Sequence, residues 1–193
     1  FTEDYPETLR REYMFLQKKH QLEPIAVSLW KFLRMRPRNF PTFRLAQLAA
    51  LLIRHPNLFS KQLDLFPFEQ YYEGYQNLPI HPFWSNHFHF HKQGNKSSVQ
   101  LGKSSIENIL VNTNCLFLYV YGRYTDQPVY IDKALDLLSF LPAEKNKLVD
   151  QYREAGVKME SAYLSQAIIQ LNKSYCSQKK CLNCSIGIKI LKK

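Results

Sequence analysis

Glycine is scarce in this 193-residue chain: six residues, at 74, 94, 102, 122, 156 and 187, no two closer than eight positions. That spacing excludes both G-x-G-x-x-G and a P-loop, each of which needs clustered glycines to bring backbone N–H groups onto a phosphate. Long apolar runs are missing too. The longest, residues 48–53 and 115–121, fall far short of the ~18–20 residues that a spanning helix needs, so no membrane crossing and no membrane partner is expected. G-x-S-x-G, H-E-x-x-H and a paired C-x-x-C are also absent, which removes the common hydrolase, zincin and paired zinc-knuckle readings. What is there is an ordinary globular composition, 45% hydrophobic and 14% aromatic, enough for a substantial core.

Acid is the other shortage. Lys plus Arg is 26 against 16 Asp plus Glu, a net charge of +10. The excess sits at the two ends, since residues 1–60 hold ten basic against five acidic groups, 61–140 six against seven, and 141–193 ten against four. No acid occurs between Glu23 and Asp64, a stretch carrying Lys31, Arg34, Arg36, Arg38, Arg44, Arg54 and Lys61. None follows Glu160, after which come Lys173, Lys179, Lys180, Lys189, Lys192 and Lys193. Such stretches attract phosphate backbones with a strongly salt-dependent affinity. Nucleic acid is therefore one expected partner; the alternatives are solubility and burial against a further region of the chain.

Periodicity and caps predict helices almost throughout. Asp4-Tyr5-Pro6-Glu7 reads as a helix start running to about Lys19, with Leu9, Tyr13 and Leu16 on one face. Pro37 halts the apolar segment 25–35, and Pro41 opens a helix in which Leu45, Leu48, Ala49, Leu52 and Ile53 have core spacing until His55-Pro56 stops it. Residues 57–82 read as an aromatic connector of short helices and turns that includes Phe66. The alternation at 86–91, with turn chemistry at Gln93-Gly94-Asn95-Lys96 and then Ser98-Val99-Gln100-Leu101, predicts a β-hairpin. A Ser104/Glu107 capping box opens a central helix to about Tyr124. Further helices are expected over about 129–140, over 146–155 before Gly156, and over 161–174 with Leu164, Ala167, Ile168 and Leu171 on one stripe. The expected fold is mainly α: a single-domain multi-helix bundle spanning 1–193, with one small β-hairpin at about 86–101.

Three clusters bear chemistry. Cys176, Cys181 and Cys184, spaced C-x4-C-x2-C, bring three thiolate donors within one or two turns of chain, one short of a closed zinc site. The fourth ligand would be Cys115 or a His. An iron–sulfur cluster, as in the helical DNA glycosylases, needs four cysteines in such a loop, and none follows Cys184. Lys179 and Lys180 would activate the Cys181 thiol; otherwise these cysteines are small apolar fillers. In His87-Phe88-His89-Phe90-His91, strand geometry puts three imidazoles on one face, where they can hold a divalent metal. The same string also fits a hairpin with Phe inward and His outward. Finally, Arg34, Arg36, Arg38 and Arg44 surround a two-proline loop before a helix N-terminus, an arrangement suited to phosphate. Arg44 paired to a carboxylate, with Asn39 or Thr42 capping the helix, is the plain structural alternative. The carboxylates Glu69/Glu73 and Asp132/Asp136, each four apart, read as solvated helix faces.

The run Trp30-Lys31-Phe32-Leu33-Arg34-Met35-Arg36-Pro37-Arg38-Asn39-Phe40-Pro41-Thr42, then Arg44-Leu45-Ala46-Gln47-Leu48-Ala49, and Tyr175-Cys176 through Cys181 and Cys184 to Gly187 resemble an uncharacterised bacterial family, domain of unknown function 2851. The resemblance extends through Leu101-Gly102-Lys103-Ser104 and Gln166-Ala167-Ile168-Ile169-Gln170-Leu171. It implies a bacterial, cytoplasmic protein and a longer natural chain of which this is the C-terminal portion, with an upstream region as partner. A start at Phe1 rather than Met, followed by polar Thr2-Glu3 without a secretory leader, agrees with that expectation. The resemblance implies no catalytic residue. The preferred reading is a basic accessory domain that binds nucleic acid or another polyanion through Arg34, Arg36, Arg38 and Arg44 with Lys179 and Lys180. The rivals are a metal-dependent enzyme domain with zinc or an iron–sulfur cluster at the His or Cys residues, and a structural module packing on the upstream region.

Overall fold

Proline and capping chemistry place the helix ends in the computed structural model, which describes residues 4–64 and 67–191. Phe1-Thr2-Glu3, Phe66, Lys192 and Lys193 lie outside the described residues. The fold is mainly α, with one antiparallel hairpin. The helices are α1 (Asp4–His20), α2 (Pro41–Arg54), α3 (Leu58–Asp64), α4 (Glu69–Gly74), α5 (Lys103–Ile109), α6 (Leu116–Tyr124), α7 (Pro128–Phe140), α8 (Lys147–Glu154), α9 (Ala162–Leu171) and α10 (Ser185–Leu191). The strands are β1 (His87–His89) and β2 (Lys92–Gln93). Proline stands in the first turn of both α2 and α7, where its missing N–H costs nothing. Asn146 caps α8 by accepting from the Val149 N–H at 2.9 Å, and Gly156 follows it with a φ of 87°.

The chain divides into two compact units. One holds residues up to Lys61 together with Glu73–Leu101; the other holds Gln62–Tyr72 together with residues from Gly102 on.

The first unit is built on aromatics. Phe43 of α2, Phe83 and Trp84 form its centre, with Tyr5, Phe88, Phe90 and Val99 packed against them. Long-range bonds fix the frame: Thr42 Oγ1 donates to Phe88 O (2.5 Å), Gln47 Nε2 to Val99 O (2.9 Å), and Gln100 exchanges two bonds with the Leu78 backbone (2.8 and 2.9 Å). α1 is held by its first turn, where Tyr5 stacks on His81 at 3.8 Å and accepts from Trp84 Nε1 at 3.2 Å. Its expected core face, Leu9, Tyr13 and Leu16, is exposed as a result.

The face of α2 is also the reverse of the expected one. Phe43, Gln47, Ala50 and Leu51 are buried, while Leu45 and Leu48 are 47% exposed and Ile53 is 72% exposed. Both sets have helical spacing, and Phe43 with the Gln47 bond decides between them. The hairpin is shorter than predicted. The chain turns at 90–91, β2 is Lys92–Gln93, and a register irregularity separates His87 from His89; the expected turn and second strand at 93–101 are irregular backbone.

In the second unit, α5 runs on through a π-helical stretch, Leu110–Cys115, into α6 without leaving helical backbone. The expected capping box is not formed. Gly102 is the N-cap, and Glu107 instead accepts from Tyr72 OH at 3.4 Å. The core is mainly aliphatic: Ile106, Leu110, Leu118, Leu137, Leu141 and Val149 are fully buried, with Tyr71 as a buried aromatic among the unit's residues. α6 is not wrapped on all sides, since Leu116, Tyr119 and Val120 are exposed. α7 follows through a tight corner in which the Gln127 N–H donates to Gly122 O (2.9 Å). A Cβ on Gly122 would lie 2.9 Å from Gln127 O and 3.0 Å from Ile131 N, so glycine is what lets α6 and α7 approach. α9 buries Ala162 and Ser165 rather than the expected stripe; Leu164 and Ala167 are exposed, because Ser165 Oγ donates to Ala162 O and accepts from the Glu144 N–H (both 3.1 Å). Among the described residues, no helix is long and apolar enough to cross a membrane.

Candidate anion-binding site

Pro37 and Pro41 bracket a one-turn 3₁₀ helix, Pro37–Asn39, between the exposed basic segment and α2. Arg36 is its N-cap, and Arg36, Arg38 and Arg34 are all exposed. Arg34 sits at φ 59°, in the left-handed region that a non-glycine residue enters at a cost of about 1–2 kcal/mol. No carboxylate pairs with Arg34, Arg36 or Arg38 among the described residues.

Arg44 has a different part. Its guanidinium donates to Asn39 Oδ1 (2.6 Å) and to Gln47 Oε1 (2.8 Å), and Gln47 in turn reaches Val99 O. Burial pushes its pKa below the usual arginine value. Arg44 therefore braces the loop that presents Arg36 and Arg38, using amide oxygens where a carboxylate partner was the alternative. Neither Asn39 nor Thr42 caps α2, since both side chains are spent on these cross-links.

Beside the loop lies an open cavity of about 440 Å³, lined by Pro37, Phe40, Phe88, His89 and residues 92–97. Phe40 is held edge-on by Phe32 at 5.3 Å, and Phe88 packs on Phe43 at 5.4 Å. Lys92 and Lys96 line it, and no carboxylate does. Sequence reasoning missed Phe40, Phe88, Lys92 and Lys96. The signal that would have found the two lysines is a second acid-free span, between Glu73 and Glu107, which the fold sets against the first through α2 and β1.

Of the other candidates, the structure brings His89 and His91 together, with ring centroids 5.5 Å apart. His87 is buried, stacks on Phe83 at 3.9 Å and has Nδ1 2.9 Å from Phe83 O. His89 Nδ1 accepts from the His91 N–H (3.2 Å), with His91 in the turn. The three imidazoles therefore do not share a face; the bulge and the early turn break the alternation. Cys176 and Cys181 are exposed and Cys184 is buried, in a loop closed so tightly that a Cβ on Gly187 would meet Cys181 O at 2.3 Å. Cys176 Sγ accepts from Tyr152 OH at 3.5 Å. Cys115 is buried in the π-helical stretch, and desolvation pushes its thiol up to about 12, which disfavours the thiolate a metal needs. Among the described residues, no three His, Cys, Asp or Glu side chains come together as a metal-holding group. Lys179 and Lys180 are exposed but belong to the second unit, apart from the arginine loop in chain and in unit.

The second unit has a cavity of its own, about 590 Å³, lined by Lys103, Glu107, Glu144 and Lys145 among others. Gln166 holds the Glu144 carboxylate at 2.9 Å, and Glu107 helps raise the pKa of Tyr72, mainly shifted by burial, to about 12. Its balanced charge gives a polyanion no preference for it.

Fold and site define a mainly α protein whose first unit carries a basic loop beside an aromatic cavity. The chain belongs to the family described as Protein of unknown function (DUF2851), whose family model matches residues 1–147 and so includes that loop, α2 and the cavity. The cysteine-rich segment lies beyond the matched residues. No curated protein and no solved structure matches the chain.

Proposed function

We propose that the first unit binds a polyanion, nucleic acid in the first place, through Arg36 and Arg38 of the proline loop and Lys92 and Lys96 of the adjoining hairpin. The observation that carries this reading is the apposition of two acid-free segments, residues 24–61 and 74–101, in which Arg36, Arg38, Lys92 and Lys96 have no carboxylate partner among the described residues. Unpaired cations beside a firmly braced backbone are the chemistry that phosphate contacts use. Arg44 is a positioning residue here, and Arg34 adds charge from its left-handed turn.

Fluorescence anisotropy of the chain against labelled single-stranded and duplex DNA and RNA tests this. Micromolar or tighter binding that falls linearly with log salt is expected, and the Arg36→Ala/Arg38→Ala pair should lower the salt slope by about two. Absence of binding at low salt would sink the reading.

A second reading has its own observation. Leu45, Leu48, Leu52 and Ile53 leave the outer face of α2 apolar and exposed, as a unit that packs on another protein would. Association insensitive to salt, with no affinity for nucleic acid, would favour it.

A further inference from the structure

The cavity beside the proline loop offers more than charge. It is lined by two aromatic residues, Phe40 and Phe88, together with Gln93 and Asn95, which carry amides, and the basic residues Lys92 and Lys96. Phosphate alone has no use for aromatic walls. A nucleobase has a use for each: its face stacks on aromatic rings, its edge pairs with amide donors and acceptors, and the flanking phosphates take the cations. At about 440 Å³ the space falls within the range of small-ligand sites, roughly 300–1,000 Å³. The walls are firm, since Phe40 and Phe88 are fixed against Phe32 and Phe43, and the Gly94 N–H is tied to Asn86 O at 2.6 Å. A base in a duplex is stacked and paired and cannot enter such a cavity without being flipped out.

We infer that this cavity receives an unpaired base, so that the first unit selects single-stranded over duplex nucleic acid. The inference rests on the polyanion reading and sharpens it: Arg36 and Arg38, chain neighbours of the lining residue Pro37, hold the strand on either side of the inserted base.

Three labelled probes of equal length separate the possibilities: a mixed-sequence single strand, its duplex, and a strand of abasic sites that keeps the phosphates and lacks the bases. The single strand should bind at least about tenfold tighter than either of the others. Gln93→Ala/Asn95→Ala, at two exposed positions, should remove most of that advantage and leave abasic binding unchanged. Phe40→Leu, which keeps bulk without the π face, should do the same, with circular dichroism verifying the fold of each variant. Equal binding of all three probes would overturn the base-insertion proposal and leave the polyanion reading standing. Failure of every probe to bind at low salt would overturn both. A mononucleotide that competes as well as the strand at equal base concentration would assign the cavity to free nucleotides and overturn the single-strand proposal.

Discussion

The two units solve the same problem with different materials. The second buries aliphatic side chains between long helices and brings α6 and α7 together across a glycine. The first has a small aromatic centre, a two-stranded hairpin and a set of side chain–backbone bonds between distant segments. The first unit, built that way, leaves a basic loop and the apolar outer face of α2 open to bind something else. The candidate recognition surface lies in the first unit. Both tryptophans, Trp30 and Trp84, belong to the first unit, so tryptophan fluorescence reports on it alone.

The comparison breaks most sharply at Trp84. It is buried, bonded to Tyr5 and edge-on to Phe83 and Phe90. Trp84→Ala should cost about 3–5 kcal/mol and abolish oligonucleotide binding, while far-ultraviolet circular dichroism retains most of the helix signal. Complete loss of helix would show that the two units unfold as one. Gly122→Ala is the counterpart in the second unit. A methyl there meets Gln127 O and Ile131 N, backbone atoms that cannot step aside, so about 1–3 kcal/mol should be lost in urea unfolding with binding of the single strand unchanged.

Alkaline pH sharpens the contrast further. Folding holds the Cys115 thiol protonated up to about 12, while the unfolded chain releases that proton near 9. The folded state therefore binds more protons across this window, and its stability, full below pH 9, falls as pH rises. The slope reaches about 1.4 kcal/mol per pH unit for one such group. Tyr72, raised to about 12, acts in the same direction above pH 10. Urea midpoints at pH 8 and pH 10.5 should differ clearly in the native chain and less in Cys115→Ala. The smallest effect on stability should come from Arg36→Ala/Arg38→Ala: both residues are exposed and have no carboxylate partner among the described residues, so stability should change by no more than about 0.5 kcal/mol while the salt slope of binding drops.

Much of the architecture was legible because its signals act within one helical turn. Proline at the start of α2 and α7, the Asn146 cap and Gly156 mark helix ends wherever the rest of the chain goes. The basic loop was equally legible, since an acid-free run is a property of the chain itself. The faces were not. α2 has apolar residues all round, and either stripe satisfies the periodicity; Phe43 is inside because Phe83, Trp84 and Phe88 stand opposite it. Ser104 and Glu107 have capping-box spacing, yet Tyr72 claims the carboxylate. The three histidines alternate in sequence, but a bulge and a turn three residues earlier than expected leave His87 buried against Phe83 while His89 and His91 stay neighbours.

By itself, then, the sequence determined a mainly α chain, most of its helix boundaries, a carboxylate-free basic loop and its likeness to one family. Tertiary structure alone decided that a second acid-free span, 74–101, lies against that loop and that two phenylalanines distant in sequence wall one cavity between them. It also kept the cysteines and histidines from forming a metal-holding group among the described residues. Caps and charge runs depend on neighbours along the chain, whereas a cavity or a ligand set depends on which segments meet, and that is settled only when the buried faces find their partners.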